Sequence, residues 1–231
     1  MTTSTTPLVD LLRSRYSVRK FLPTPMSAAD IRGVLEDAQT SPSNSNTQPW
    51  AVHVVSGAAR DAISGGMLRA HEEGRTSSDF TFGYGDGLYA SRAQHHGATL
   101  YEALGVARSD VEGRNDVVRD NLRFYGAPHA AFLFMPLLGD GVRTAGDIGM
   151  YAQTFLLSLT ARGFHGIPQT ILGMYADVVR EVLGVPEELK LLFGISFGTA
   201  DPAAKVNELR MHRLPMEQSV VFHDEPAWGR G

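Results

Sequence analysis

The sequence contains no cysteine among its 231 residues. This absence excludes disulfides, thiolate nucleophiles and metal sites with thiolate ligands. No apolar run approaches the roughly 20 residues that a membrane-spanning helix needs. Residues 1–6 are rich in hydroxyls and lack the basic and apolar regions of a secretory signal. We therefore expect a cytoplasmic protein without a membrane segment.

An excess of positive charge is also missing. The formal net charge is −4 and the pI is about 6.0, which excludes the concentrated positive field that nucleic acids and anionic membranes require. A small molecule is therefore the expected partner. The length and a hydrophobic content of 43% predict a single domain over residues 1–231, with a flexible N-terminus over about 1–6 and a tail over about 201–231.

The usual nucleotide-binding loops are absent too. No GxxxxGK[ST] loop occurs, and "GYGDG" does not follow a strand pattern. "GISFG" at Gly194–Gly198 matches the G-x-S-x-G pattern of serine hydrolases. That motif needs a tight turn and a helix behind the serine, whereas Pro202 opposes such a helix, so a hydrolase acting through Ser196 is only a remote alternative. The histidines lack ligand spacing, and we expect no metal site.

Hydrophobic periodicity predicts alternating helices and strands. Helices are expected from Leu8 into the basic stretch, from Ser27 to just before residue 41, from about 58, over 89–106 and 111–124, from 148 to near 163 and over 175–183. Strands are expected over 51–56, 129–136 and 189–198. The continuous apolar run "HAAFLFMP" predicts a central strand. Gly163–Gly173 is interpreted as a turn-rich connection, and the late "SVVF" as a β-prone segment that lies on the protein's own body or on a partner.

Three polar segments are unusual. "SPSNSNTQPW" at residues 41–50 concentrates amides and hydroxyls, and two basic clusters lie near the chain ends: Arg15, Ser17, Arg19 and Lys20, and then Arg210 and Arg213. Each cluster is compatible with a cationic helix end or a solvated face. Taken alone, each cluster favours that interpretation, but guanidinium forks also suit phosphate oxygens, so a phosphate site is the alternative.

Five segments, in this order, resemble the nitroreductase family of FMN-dependent, NAD(P)H-using flavoproteins. They are "RSRYSVRKF", "SPSNSNTQPWAVHVV", "APHAAFLFMP", "DIGMYAQTFLLSLTARGF" and "RMHRLP", and the resemblance runs from about Val9 to Phe222. It implies an α+β, three-layer α/β/α fold in which helices flank a central mixed sheet. It also implies a homodimer with shared FMN sites, whose C-terminal tail extends onto the partner subunit.

The resemblance further implies which residues bind FMN. The matching positions are Arg15, Tyr16, Ser17, Arg19, Pro42, Ser43, Asn44, Asn46, Pro168, Gln169, Thr170, Ile171, Arg210 and Arg213. The first four and the last two would meet the phosphate and ribityl chain, and residues 42–46 would reach the flavin ring of the partner subunit. The backbone N–H of Thr170 would point at flavin N5. Two departures occur, since Thr170–Ile171 replaces an acidic residue and glycine, and Met211 replaces a lysine found in some relatives.

The activity that the resemblance implies is ping-pong hydride transfer. NAD(P)H would reduce FMN and leave, and a planar nitroaromatic or quinone acceptor would then take its place. No catalytic side chain is implied, because the flavin carries the chemistry. Enone reduction, dehalogenation and flavin binding or sensing without turnover remain open on the same fold, although Asn46 favours the nitroreductase pattern over that of flavin destructases.

One long segment without periodicity is a candidate lid. Gly74–Gly87 combines glycines and hydroxyls with Phe80, Phe82 and Tyr84. Because exposed aromatic rings commonly cover a binding surface, we expect these three rings to lie over the open flavin face and to influence the choice of acceptor. The alternative is that the segment packs on its own helices.

Overall fold

A computed structural model describes residues 7–224. The flexible N-terminus predicted for residues 1–6 and the end of the predicted tail, residues 225–231, lie outside the described residues. Four strands form one sheet: β1 is Ala51–Ser56, β2 is His129–Pro136, β3 is His165–Gln169 and β4 is Leu189–Gly198. Their spatial order is β1-β2-β4-β3, so the apolar run of β2 lies inside the sheet, as predicted.

The sheet differs from the predicted mixed sheet in its strand directions. All three strand pairings among the described residues are antiparallel, and parallel pairing is limited to isolated bridges such as Ser17 with Gly166. The long apolar run of β2 does not distinguish a mixed sheet from an antiparallel one. A strand covered on both faces is apolar throughout, whichever way its neighbours run.

Helices cover both faces of this sheet, which confirms the three-layer α+β architecture. They are α1 Leu8–Ser14, α2 Ala28–Ala38, α3 Gly57–Glu72, α4 Leu88–Ala103, α5 Val111–Leu122, α6 Val142–Ala161 and α7 Ala176–Leu183. Within residues 7–224, none of them is both long and apolar enough to cross a bilayer.

Strand β2 divides the core between the two faces. Because successive side chains of a strand point to opposite sides, Phe132 and Phe134 join one buried cluster with α3, α5 and α7. Leu133 and Met135 join a second cluster with α2 and α6. Apolar side chains therefore fill the space between the sheet and the helices on each face.

The best-defined helices follow their sequence signals. The hydroxyl of Ser27 accepts a 3.0 Å hydrogen bond from the Asp30 N–H at the start of α2, as the predicted capping box requires. In α6, the predicted apolar stripe is buried along its whole length: Ile148, Tyr151, Ala152, Phe155, Leu156 and Leu159. Both predictions are confirmed, because each depends on residues that are close in sequence.

Strand β3 was not predicted, and the interpretation of Gly163–Gly173 as a connection without a strand is wrong. Gly166 and Pro168 are rare in strands and hide the signal. Strand β3 lies at the sheet edge, where proline is tolerated because the missing N–H faces outward. At Gly166, an added Cβ would come within 2.8 Å of Leu156 Cδ2, so close packing between α6 and β3 requires glycine there.

The hydrolase alternative is contradicted by the position of Ser196. This residue is fully buried within β4, and its hydroxyl donates to Gln169 Oε1. The segment after β4 contains no α-helix among the described residues, and its first helical turn is the 3-10 helix Lys205–Glu208. Ser196 is therefore a core residue and has no access to a substrate.

The described part of the tail contains no strand. Residues 201–224 form only the short 3-10 helices Lys205–Glu208 and Met216–Gln218, so the β-prone "SVVF" is not a strand in this chain. A strand needs a neighbouring strand to hydrogen-bond with, and this segment pairs with none among residues 7–224. Val221 and Phe222 are 73% and 80% exposed. Their expected contact with a partner subunit stays a prediction.

Candidate functional site

The two basic clusters lie side by side although they come from opposite ends of the chain. After α1, residues 15–21 run in extended form along the sheet, and Ser17 and Phe21 form isolated bridges with Gly166 and Ala200. The tail returns beside this segment, since the Asp201 N–H donates a 3.0 Å hydrogen bond to the Lys20 carbonyl. Backbone pairing thus fixes both clusters at the same end of the molecule.

The buried residue Asn207 joins the two segments. Its Oδ1 accepts a 2.8 Å hydrogen bond from the Arg19 N–H. Its Nδ2 donates to the carbonyls of Lys20 at 2.8 Å and Asp201 at 3.0 Å. Because one side chain satisfies three backbone groups, it holds the arginines of both segments in a fixed relation.

These arginines surround one cavity of about 550 Å³. Its lining consists of Leu12, Arg13, Arg15, Tyr16, Ser17, Arg19, His96, Leu209, Arg210, Met211 and Arg213, a set without a carboxylate. Within residues 7–224, Arg15, Arg19, Arg210 and Arg213 form no ion pair. Burial, and then repulsion by Arg213, lower the pKa of Arg15. The cavity therefore concentrates positive charge that an anion would neutralise.

Aromatic contacts fix the wall of this cavity. The guanidinium carbon of Arg210 lies 3.5 Å from the centre of the Tyr16 ring, and the ring of His165 contacts Tyr16 edge-on at 5.4 Å. Burial, and then the charge of Arg210, lower the pKa of His165. Stacking of this kind stabilises an arginine while its N–H groups stay available to a ligand.

The amide-rich loop of residues 41–50 has an unusual backbone. Residues Asn44–Asn46 form a 3-10 turn, and Ser45, Asn46 and Gln48 have positive φ angles of 51°, 57° and 48°. Such angles are uncommon for non-glycine residues and persist only where the surroundings hold them. The buried carboxylate of Asp147 in α6 accepts a 3.0 Å hydrogen bond from the Asn44 N–H, which supplies part of that support.

Three of the predicted cofactor-binding side chains of this loop point away from the body of this chain. Pro42, Asn44 and Asn46 are exposed. Neither asparagine side chain has a hydrogen-bond partner among residues 7–224, and none of residues 42–46 lines the cationic cavity. The structure therefore does not join these predicted residues to the arginines within one chain.

The third predicted segment, residues 168–171, continues along the sheet from the cationic cavity. Thr170 lies four residues beyond Gly166, the bridge partner of Ser17, which is about 13 Å at the rise of a β-strand. Pro168 and Thr170 are exposed, while Ile171 is half-buried against the core. Thr170 begins a 3-10 helix, so its N–H has no acceptor within that helix.

Gln169 differs from its neighbours in this segment. Its side chain is buried, donates to the Asn121 carbonyl at 3.1 Å and accepts from Ser196. Only its backbone faces outward, and the side chain anchors the strand end.

The predicted lid segment is fixed at its start and exposed at its tip. The Ser77 N–H donates to the Met174 carbonyl at 2.8 Å, and the Asp79 carboxylate pairs with Arg180 at 2.5 Å. Phe80 packs against the core cluster beneath α2 and α6. Of the three predicted lid aromatics, only Phe82 and Tyr84 are exposed, and their rings contact each other edge-on at 5.3 Å.

Three residues of the site were not predicted from the sequence. Asn207 and His96 carry no local signal, because their partners are distant along the chain. Asp147 did carry a local sequence signal, since it precedes Tyr151 by four residues and therefore lies on the buried stripe of α6. A carboxylate at such a position needs a hydrogen-bond donor.

A layered fold with a carboxylate-free arginine cavity and an amide-rich loop defines the class of protein. The chain belongs to the nitroreductase family, whose model matches residues 12–199. Nitroreductase NfnB of Mycolicibacterium smegmatis is 45% identical over 230 residues, which cover 96% of this chain and 97% of that protein. The 4-nitrobenzoate reductase of Pseudomonas putida is 33% identical, with 88% and 89% covered.

A solved structure extends the likeness to three dimensions. The crystal structure of the FMN-dependent nitroreductase NfnB from Mycobacterium smegmatis in complex with NADPH matches this chain with a TM-score of 0.89 at 45% identity. The match covers 93% of this chain and 97% of that one. The described fold is therefore the nitroreductase fold.

Proposed function

We propose that this protein is an FMN-dependent oxidoreductase that uses NAD(P)H to reduce nitroaromatic compounds. The observation that carries the proposal is the cavity in which Arg15, Arg19, Arg210 and Arg213 meet without a carboxylate. Guanidinium groups bind phosphate oxygens through paired hydrogen bonds, and FMN presents one phosphate. The relatives named as nitroreductases and as an FMN-dependent enzyme in complex with NADPH support both the cofactor and the co-substrate.

The protein's own part in the reaction is to bind and orient. When bound, FMN supplies hydride transfer between NAD(P)H and the acceptor. The arginines and Ser17 would hold the phosphate end, the outer edge of residues 168–171 would follow the ring, and the Thr170 N–H would donate to N5. Residues 42–46 would supply amides and hydroxyls to the ring edge of a partner's site. We also propose that the two half-reactions follow a ping-pong order and that quinones serve as further acceptors.

We further propose a homodimer as the active form. Apolar side chains that a monomer would leave in water cluster on α1, where Leu8, Val9 and Leu12 are exposed. On α6, Met150 is exposed, and Gly146 and Gly149 have open space where a Cβ would stand, so another backbone has room to approach. Apolar patches of this kind favour association.

The test is to identify the flavin and the turnover together. The purified full chain is denatured and the released flavin is chromatographed; about one FMN per chain is expected, because both basic clusters meet in one cavity. NADPH oxidation is then followed with and without a nitroaromatic acceptor. FMN without acceptor-dependent turnover would favour a flavin-binding or sensing protein, and FAD or no flavin would contradict the proposal. The cytoplasmic location stays a prediction.

A further inference from the structure

A histidine from α4 completes the wall of the cationic cavity. His96 lines the cavity together with the arginines, and its Nε2 lies 3.4 Å from an Nη of Arg19. A guanidinium only donates hydrogen bonds. The imidazole Nε2 is therefore the acceptor in this contact, which requires the neutral form of His96.

The charges around His96 are all of one sign. Arg13, Arg15 and Arg19 face the cavity from the N-terminal segment, Arg210 and Arg213 face it from the tail, and Arg92 precedes His96 by about one turn of α4. Among residues 7–224, no carboxylate lines the cavity. His96 as a whole residue is exposed, but partial desolvation at the cavity wall, and then the charge of Arg19, lower its pKa in the free protein.

We propose that His96 is a further ligand of the cofactor phosphate and that it takes up one proton when the phosphate dianion binds. The inference rests on the proposed function for the identity of the ligand. Two negative charges in the cavity offset part of the positive field that disfavours the imidazolium. As an imidazolium, His96 no longer accepts from Arg19, and both groups donate to phosphate oxygens.

Proton uptake makes binding depend on pH in a definite direction. The pKa of His96 lies below its ordinary value in the free protein and rises in the complex, so binding of the dianion strengthens as pH falls between these two values. The second pKa of a phosphate monoester is about 6. The effect is therefore measured above pH 6, where the ligand keeps both charges.

Flavin titrations with and without the phosphate isolate this contribution. The full chain, freed of flavin, is titrated with FMN and with riboflavin at about pH 6.5 and 8.5, on either side of the neutral range where histidine titrates. For the wild type we expect FMN affinity to fall about tenfold between the two values, because one proton is linked to binding over about one pH unit of this interval. Riboflavin affinity should not change.

Three variants assign the effect to His96. His96→Phe should bind FMN about tenfold more weakly at the lower pH, the loss of one charge-assisted hydrogen bond, and should lose the pH dependence. His96→Lys keeps a permanent cation and should bind tightly at both values. His95→Phe is the matched control, because His95 lines a different cavity between α4 and α5, and it should behave as the wild type. Equal pH slopes in wild type and His96→Phe, or equal losses for riboflavin, would overturn the proposal.

A second measurement does not depend on flavin. The Cε1–H resonance of His96, assigned by its absence in His96→Phe, is titrated by NMR with and without inorganic phosphate. A higher titration midpoint in phosphate supports the proposal, and an unchanged midpoint contradicts it. If the wild type binds no flavin at any pH, the proposed function fails, while the phosphate titration still decides the role of His96.

Discussion

The cationic cavity and the loop of residues 41–50 are both parts of the predicted cofactor site, yet they are completed in different ways. In the cavity, the backbone is pinned by Asn207 and the arginine side chains face inward without anionic partners. In the loop, the backbone is pinned by Asp147, and the side chains of Asn44 and Asn46 face outward. One region lacks an anion, and the other lacks a second protein surface.

This difference shows two kinds of preorganisation. Arginines held close together raise the electrostatic energy of the free protein, which a phosphate relieves on binding. Residues held at positive φ store backbone strain instead, and this strain is useful only if the amides meet a ligand across the subunit interface. Changes in the cavity should therefore affect the phosphate, and changes in the loop should affect the flavin ring.

The largest expected effect is that of removing the tail after Asp201. This truncation deletes Asn207, Arg210 and Arg213 as well as the exposed apolar end, so both FMN binding and dimer formation should be lost. Light scattering and flavin content measure the two properties. Truncation after Asp224 is the control and should retain both. A flavin-loaded dimer from the shorter chain would show that the tail serves neither purpose, and a flavin-loaded monomer would show that the dimer and the flavin site are not one unit.

Single arginine changes should weaken only the cavity. Arg19→Ala and Arg213→Ala should each cost about 1.5–3 kcal/mol of FMN binding, the usual contribution of a hydrogen bond to a charged group. Riboflavin titrations should show no comparable loss. Arg32→Ala, an exposed arginine on α2, is the matched control. If all three variants bind FMN as the wild type does, the clusters are merely solvated surface.

The corresponding test of the loop is Asp147→Ala in α6, because this carboxylate holds the loop backbone at Asn44. It leaves the Asn44 N–H without its acceptor, and we expect a loss of about 1–3 kcal/mol in the free energy of unfolding, measured by urea denaturation. If the loop meets the flavin ring as proposed, affinities for FMN and riboflavin should fall by the same factor. Asp116→Ala removes an exposed carboxylate paired with Arg119 and should have little effect. A loss confined to FMN would place Asp147 with the phosphate.

The smallest effect is expected at the lid tip. Replacing Phe82 and Tyr84 by alanine should slow flavin reoxidation by nitroaromatics, since each aromatic contact contributes about 0.5–1.5 kcal/mol, and should leave FMN content unchanged. Stopped-flow measurement of the two half-reactions checks this. Phe80→Ala is the contrasting variant, because Phe80 packs on the core and its loss should lower stability instead. Unchanged half-reactions in the double variant would place the lid elsewhere.

The features that were predictable from the sequence depend on neighbours along the chain. The Ser27 cap and the α6 stripe involve residues within a few turns of each other, and β2 is one continuous apolar run. The resemblance supplied the cavity arginines, and the structure places them together. By contrast, the hydrogen bond between Arg19 and Asn207 joins residues 188 apart, which no local pattern encodes.

The missed strand β3 has a consequence for how the protein avoids aggregation. An edge strand with a free row of N–H and C=O groups recruits strands from other molecules. In β3, Pro168 has no N–H that could donate a hydrogen bond. The segment of residues 15–21 covers the strand at Gly166, which forms a bridge with Ser17. A newly made chain that has neither flavin nor partner therefore exposes no long pairing edge on this side of its sheet. The same proline that concealed the strand from sequence analysis protects the chain from fibre-like association.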